Sequence, residues 1–355
     1  MIERGFTGFG GSAFYPHQTR ENAMPQNSAA ELSAAEAALG RSRLYEVLGR
    51  LYHLGLTPEL LPYAAGIPQL AAALPADRSA DEAAADHHAL FAFNVFPYQS
   101  IFLDPTGLLG GAESARVQAA YARSGFQVDA SDASPDHLAF ELGFLAFLCD
   151  AEADAWTDAL PGVAVEMRQR QAAFLGAHLL RWLGPFVEVV SRQAFPLYAA
   201  LADLTLITVA DHAAALDITA THRNLNLTLP DPPDLLKREE TGLGDIAAYL
   251  LTPPHSGTFL TRDDIGRLGR CFDLPRGFGE RRHLLANLLR AAVTYETFPD
   301  LCIDLAAMFT VAGRRYMAMA ADHPALVPWM PPWTERTSQT ATLLETLAGE
   351  AKRLG

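Results

Sequence analysis

Two short stretches of this chain hold side chains that could do chemistry. One is Ser134-Pro135-Asp136-His137-Leu138, which runs straight into Ala139-Phe140-Glu141-Leu142-Gly143-Phe144-Leu145-Ala146-Phe147-Leu148. Asp136 and His137 are adjacent titratable groups of the kind that acid–base catalysis uses. That chemistry also needs a nucleophile or a metal, and no partner of either kind stands out in the sequence. The same residues read as a helix start. Ser134 can cap, Pro135 suits the first helical position, and Asp136 puts negative charge at the positive end of the helix dipole. The other stretch is Phe96-Pro97-Tyr98-Gln99-Ser100-Ile101-Phe102. It can anchor a loop, with its aromatics packed down and Ser100 capping a turn. It can equally rim a groove for an extended peptide.

Other chemistry is missing or weak. There is no phosphate loop, since Gly8-Phe9-Gly10-Gly11 is followed by neither strand nor lysine. No Gly-x-Ser-x-Gly elbow and no alternating-strand dinucleotide fold can be read. Asp86-His87-His88 places its two imidazoles about 100° apart on a helix, so the motif is expected to be a solvated face rather than a metal site. His178 falls between Phe174 and Trp182 at helical spacing, which suits a hydrogen-bonded core histidine as well as a ligand-binding one. Cys149, Cys271 and Cys302 are far apart and odd in number, so they are expected to be small core residues of a reducing compartment.

The elements that must position these residues are helices. Half of the 355 residues are hydrophobic, which is enough for a sizeable core, and the net charge of −14 argues against nucleic acid or an anionic membrane as partner. No run reaches the roughly 18 uninterrupted apolar residues of a membrane span, and no secretion signal is expected. Residues 1–30 read as disordered, or as an extension upstream of Met24. Helical spacing then covers 31–218. The segment after Ser134 is apolar on almost every face, as a central helix should be. Gly184-Pro185 is expected to break the long helix that opens at Pro161. Residues 219–240, rich in Asn and Pro, read as a linker. Residues 241–355 read as a helical C-terminal subdomain, with a capping box at Thr261-Arg262-Asp263-Asp264 and a stiff connector from Pro324 to Pro332. No strand pairs are convincing, so the fold class expected is all-α.

Taken together, these pieces resemble the TorD/DmsD family of redox-enzyme maturation chaperones. The residues that carry the likeness are Tyr98-Gln99-Ser100-Ile101-Phe102, Tyr121, Gly125-Phe126, and Pro135-Asp136-His137-Leu138 with Glu141, Leu142 and Phe144. Phe174, His178, Trp182 and Phe186 continue it, and the likeness extends over about Leu44 to Leu216. The resemblance implies an all-helical cytoplasmic bundle with no reaction of its own. Its partner would be the precursor of a molybdopterin oxidoreductase catalytic subunit, bound at the twin-arginine signal peptide and held until cofactor insertion. The molybdopterin cofactor belongs to the client, and none is bound tightly by the chaperone. Tyr98, Ser100, Phe102, Asp104, Asp136, His137 and Glu141 become the candidate client-binding residues. Carboxylates such as Asp104, Asp136 and Glu141 can pair with guanidinium groups, and aromatics can cover an apolar stretch. A monomer and a helix-swapped homodimer both remain open. So do two other functions, a helical adaptor without a redox client and a helical enzyme using Asp136 and His137. The family is usually near 200 residues, and the C-terminal third has no counterpart in it.

Overall fold

Helix α7 (Leu138–Thr157) is the axis around which the other helices pack. From Leu138 to Cys149 every residue but Phe147 is fully buried, which is where a helix apolar on all sides must go. The computed structural model that shows this describes residues 29–74, 79–128, 133–218, 227–237, 240–275, 277 and 279–354. The glycine-rich stretch near the start and Met24 lie outside them. The described residues are 74% helical and contain no strand.

Helix α1 (Ala29–Leu54) lies along α7 over much of its length. Gly49 permits the approach, because a Cβ there would stand 3.0 Å from the Ala139 carbonyl oxygen. Helices α8 (Pro161–Ala177), α9 (Leu183–Ser191) and α10 (Pro196–Ala215) complete the bundle. By length and composition α10 could cross a membrane, yet 61% of that stretch is buried against its neighbours. Smaller elements cover one end. They are α2 (Leu61–Gly66), α3 (Pro68–Ala71), α4 (Ala80–His88) running into a π-helical turn, α5 (Gln99–Leu103) and α6 (Gly111–Arg123).

Beyond residue 240 come α11 (Leu243–Leu250), α12 (Pro253–Ser256), α13 (Arg262–Cys271), α14 (Arg281–Thr294), α15 (Phe298–Asp322) and α16 (Met330–Leu354). They build a second core around Leu250, Leu268, Leu289, Leu301, Phe309 and Leu344. They also complete the first core, because Phe259, Tyr316, Trp329, Met330 and Trp333 belong to it. Trp333 Nε1 donates to the Arg181 carbonyl at 2.9 Å. Arg192 on the short turn after α9 donates to Glu188 at 2.6 Å, to Asp264 at 2.9 Å and to the Phe259 carbonyl at 2.5 Å. The described part of the 219–240 segment is packed too, with Leu227 and Leu229 in the first core and Leu235 in the second.

Several local expectations change. The helix from Pro161 ends at Ala177, because His178 takes φ −125° and ψ −84° and a single 3-10 turn, Leu179–Arg181, follows. Phe174, His178 and Trp182 therefore do not share a helical face. Gly184-Pro185 sits inside the first turn of α9 and breaks nothing, since a first-turn proline gives up an N–H that has no helical partner. Gly184 instead makes room for Met330, whose Cε would lie 2.7 Å from a Cβ there. The connector of 324–332 shrinks to a 3-10 turn, Pro324–Leu326, and Pro331 and Pro332 enter α16. Cys149 and Cys302 are core residues, whereas Cys271 is exposed on the last turn of α13. The capping box stands as read: Thr261 Oγ1 accepts from Asp264 N and Asp264 accepts from Thr261 N, each at 3.0 Å.

Phe259→Ala should cost about 3–5 kcal/mol, the range for emptying a buried phenylalanine site. Because the C-terminal third supplies Phe259, Tyr316, Trp329, Met330 and Trp333 to the first core, denaturant unfolding followed by tryptophan fluorescence and far-UV circular dichroism should remain one coincident transition. Separate transitions would show that the C-terminal third does not stabilise the first core.

Candidate functional site

The two stretches singled out in the sequence meet in space. Tyr98 and His137 form an isolated antiparallel bridge. Gln99 N donates to the Asp136 carbonyl at 3.0 Å and Leu138 N to the Pro97 carbonyl at 2.8 Å. The Asp136 carboxylate closes the junction, with Oδ2 accepting from Ser100 N at 2.8 Å and Oδ1 from Ser134 Oγ at 2.5 Å. The Tyr121 hydroxyl donates to the Pro135 carbonyl at 3.0 Å, and Gly110 N donates to Ser100 Oγ at 2.9 Å.

This corrects the helix start. α7 begins at Leu138, three residues after Pro135, and its N-cap is His137, whose Nδ1 accepts from Ala139 N at 3.1 Å. Asp136 caps α5 instead. Its carboxylate is drawn to the orphan N–H of Ser100, in the first turn of another helix, so it cannot serve its own. As an acceptor, Nδ1 of His137 carries no proton, which assigns the hydrogen to Nε2. Burial, helped by nearby His53 and His87, holds the His137 imidazole down to about 3, so the ring is neutral at ordinary pH.

Below the junction lies a buried acid. Glu141 has no exposed surface; its Oε2 accepts from Trp182 Nε1 at 3.3 Å and its Oε1 has no partner. Burial first, and Asp136 second, push its pKa well above the carboxylate range, against the Trp182 bond that lowers it. Glu141 is thus a neutral carboxylic acid. Glu113 takes the opposite course. Burial pushes it up, but the charge and hydrogen bonds of Arg181, with Arg116 and Gln99, outweigh that and hold it low. Arg181 reaches Glu113 at 3.0 Å and Gln99 Nε2 reaches it at 2.7 Å.

Ser100, Phe102, Asp136 and Glu141 have no exposed surface, and His137 keeps 7%. Tyr98 and Asp104 are half-buried. Asp104 folds back on its own turn, with Oδ1 accepting from Thr106 N at 2.8 Å. At the edge of the junction the half-buried rings of Tyr98 and His53 pack against the buried His137 and Phe140. The Tyr98 ring stands edge-on to His137 at 4.8 Å, His137 lies 6.0 Å from His53, and Phe140 lies 5.7 Å from His53. Nothing in the α1 sequence marks His53, which folding alone brings here. His87 is no solvated residue. Its Nε2 bonds the Tyr52 carbonyl at 2.9 Å, and burial lowers its pKa. No grouping of three or more His, Cys, Asp or Glu able to hold a metal occurs among the described residues.

A second polar network was not legible in the sequence. Glu152, fully buried on α7, accepts from Arg41 at 3.3 Å, Arg168 at 3.2 Å and Gln171 at 3.0 Å. His212 links Gln171 to Tyr45, at 2.9 Å on each side. These bonds tie α1, α7, α8 and α10 together, with Arg41 Nε left without a partner.

Comparison with known proteins bears on the same region. Residues 57–188, which include both halves of the junction, match the family model described as nitrate reductase delta subunit. Chaperone protein TorD from Vibrio cholerae serotype O1, strains ATCC 39541 and M66-2, is 34% identical over 133 residues, covering 36% of this chain and 59% of each relative. TorD from strain ATCC 39315 of the same serotype is 34% identical over 126 residues, covering 35% of this chain and 56% of that protein. The chain thus spans less than three fifths of the length of these relatives.

Glu141→Gln tests the neutral acid. A carboxyl whose folded pKa is raised contributes its stability at low pH and loses it as pH climbs toward the folded pKa. Wild type should therefore lose stability relative to Glu141→Gln between about pH 5 and about pH 8, at up to about 1.4 kcal/mol per pH unit. Urea unfolding of both proteins at the two pH values measures it. A difference that does not change with pH would show Glu141 ionised.

Proposed function

We propose that this protein, whose residues 57–188 match the nitrate reductase delta subunit family model and resemble TorD, is a molybdoenzyme-maturation chaperone of the TorD/DmsD family. It binds the precursor of a DMSO-reductase-type catalytic subunit in the cytoplasm, at its twin-arginine signal segment. It holds that precursor until molybdopterin is inserted, and catalyses no reaction of its own. The observation that supports this reading is the junction itself: the two motif stretches of the family likeness are bonded to each other and leave the Tyr98 ring, set edge-on to the buried His137, partly accessible.

The candidate residues divide by burial. Half-buried Tyr98 meets the peptide with Asp104 next along the chain, and buried His137 backs the Tyr98 ring. Ring faces accept guanidinium groups and apolar side chains alike. Ser100, Phe102, Asp136 and Glu141 hold the junction from beneath without touching the client. The acid–base alternative gains no support from the geometry. Asp136 is engaged by Ser100 N and Ser134 Oγ, and His137 Nδ1 by Ala139 N, so neither has its polar atom free to serve the other.

Pull-down of the tagged protein from its native cytoplasm, with mass spectrometry, tests the reading. The expected catch is a molybdopterin oxidoreductase subunit in its cofactor-free form. Absence of any such subunit, together with unchanged molybdoenzyme activity on gene deletion, would remove it. Tyr98→Ala should then weaken binding of that client's signal peptide about tenfold or more, with stability altered by no more than about 1 kcal/mol, since the bridge to His137 uses only backbone. Titration calorimetry and urea unfolding separate the two effects.

A further inference from the structure

One segment of the C-terminal third carries charge of the opposite sign to the chain. Between Arg262 and Arg290 stand seven arginines and four acids, in a protein whose net charge is −14. Two of the four acids are engaged internally. Asp264 is bound by Arg192 at 2.9 Å and Arg267 at 3.2 Å. Asp263 exchanges two hydrogen bonds with Asn94, at 3.0 and 3.2 Å. Arg262, Arg270, Arg282 and Arg290 remain exposed on α13 and α14, which pack together.

Two details of α14 show cations placed against local preference. Its first turn holds Arg281, Arg282 and His283 with no acid, at the positive end of the helix dipole, and Glu280 makes no side-chain cap bond. The Arg281 guanidinium lies 3.9 Å over the Phe259 ring and 6.0 Å from Phe96, and donates to the Leu260 carbonyl at 2.8 Å. Among the described residues it has no carboxylate partner, and burial pulls its pKa down to about 10. Charges set against the dipole and a guanidinium without a counter-charge are relieved by an external anion.

The layout selects the kind of anion. Arg282 and Arg290 are eight positions apart on one helix, about 12 Å, too far to converge on one small anion. A nucleic acid would be repelled by the acidic remainder of the protein. A discrete acidic face on a folded protein meets neither objection. The surface also adjoins the candidate site, since Phe96 and Asn94 lie on the stretch that leads into Pro97-Tyr98. We propose that the exposed face of α13 and α14 is a docking surface for an acidic face of a partner protein. It rests on the chaperone reading in taking that partner to be the folded body of the client, while the neighbouring aromatic junction takes the cationic signal segment.

The test uses the full chain, the client captured above expressed cofactor-free without its signal peptide, and the signal peptide alone. Wild type should bind the client body with an affinity that falls about tenfold or more when salt is raised from low to about 0.5 M. The triple variant Arg270→Glu, Arg282→Glu, Arg290→Glu should bind the client body about 30-fold or more weakly, and the signal peptide equally well. Replacing the same three residues with Lys should restore binding of the body and confirms that the fold tolerates change there. Equal binding of the client body by wild type and the Glu variant overturns the surface while leaving the chaperone reading intact. If wild type binds neither client form, the chaperone reading fails and decaglutamate decides the surface. Binding by wild type that the Glu variant loses keeps an acidic-partner surface, and no difference overturns it.

Discussion

The Asp136 carboxylate is the tie on which the candidate site depends. It joins segments 36 residues apart through Ser100 N and holds Ser134 through its hydroxyl. It is fully buried and forms no ion pair among the described residues. Hydrogen bonds to a carboxylate are short and about twice as strong as neutral ones, and two of them make such burial tolerable where an isolated charge would not be. Once α5 is fixed at its N-terminus, Pro97 and Leu138 can pair, Tyr98 lies against His137, and α7 receives its cap. The partly accessible Tyr98 ring is therefore set by a residue that no ligand can reach.

The protonation states around this tie follow from the same burial. His137 must be neutral to accept from Ala139 N, and its surroundings enforce that. Burial first, and the nearby Asp136 second, push the Glu141 carboxyl up and favour its protonated form. Glu113, a little farther out, stays ionised because Arg181 and Arg116 face it. Glu141 and Glu113 are thus driven in opposite directions, because the cations that outweigh burial at Glu113 do not outweigh it at Glu141.

How far the sequence revealed this depended on whether the signal was local. The helicity and the burial of α7 were readable, since an all-apolar helix has only one place to go. The family likeness placed Tyr98 and His137 in one candidate site, but their pairing is seen only in the fold. The role of Asp136 was misread because its type and position fit a helix start equally well. Only the tertiary approach of α5 decides which helix it caps. His53, Glu152 and His212 carried no clear local signal, as His53 meets His137 84 positions away, Glu152 bonds Arg168, Gln171 and Arg41 at 16, 19 and 111 positions, and His212 bonds Tyr45 at 167. The break at His178 went unseen for a related reason: no glycine or proline stands at 177–181, and only the backbone angles at His178 and the 3-10 turn after it end the helix.

The C-terminal third shows how an added segment can be coupled to an existing site without entering it. Phe259 stacks 5.7 Å from Phe102, which lies on α5, and 6.1 Å from Phe96. Phe102 in turn packs 5.5 Å from Trp182, whose indole holds Glu141. A displacement of the α12–α13 segment must therefore be felt at α5 through close-packed rings, because a packed aromatic core has little free volume to absorb movement. Arg192, with bonds to Glu188, Asp264 and the Phe259 carbonyl, resists that displacement. Occupation of the α13–α14 face and of the junction would act on the same short helix from opposite sides, so any energetic coupling between them has a contiguous physical route through Phe259, Phe102 and Ser100.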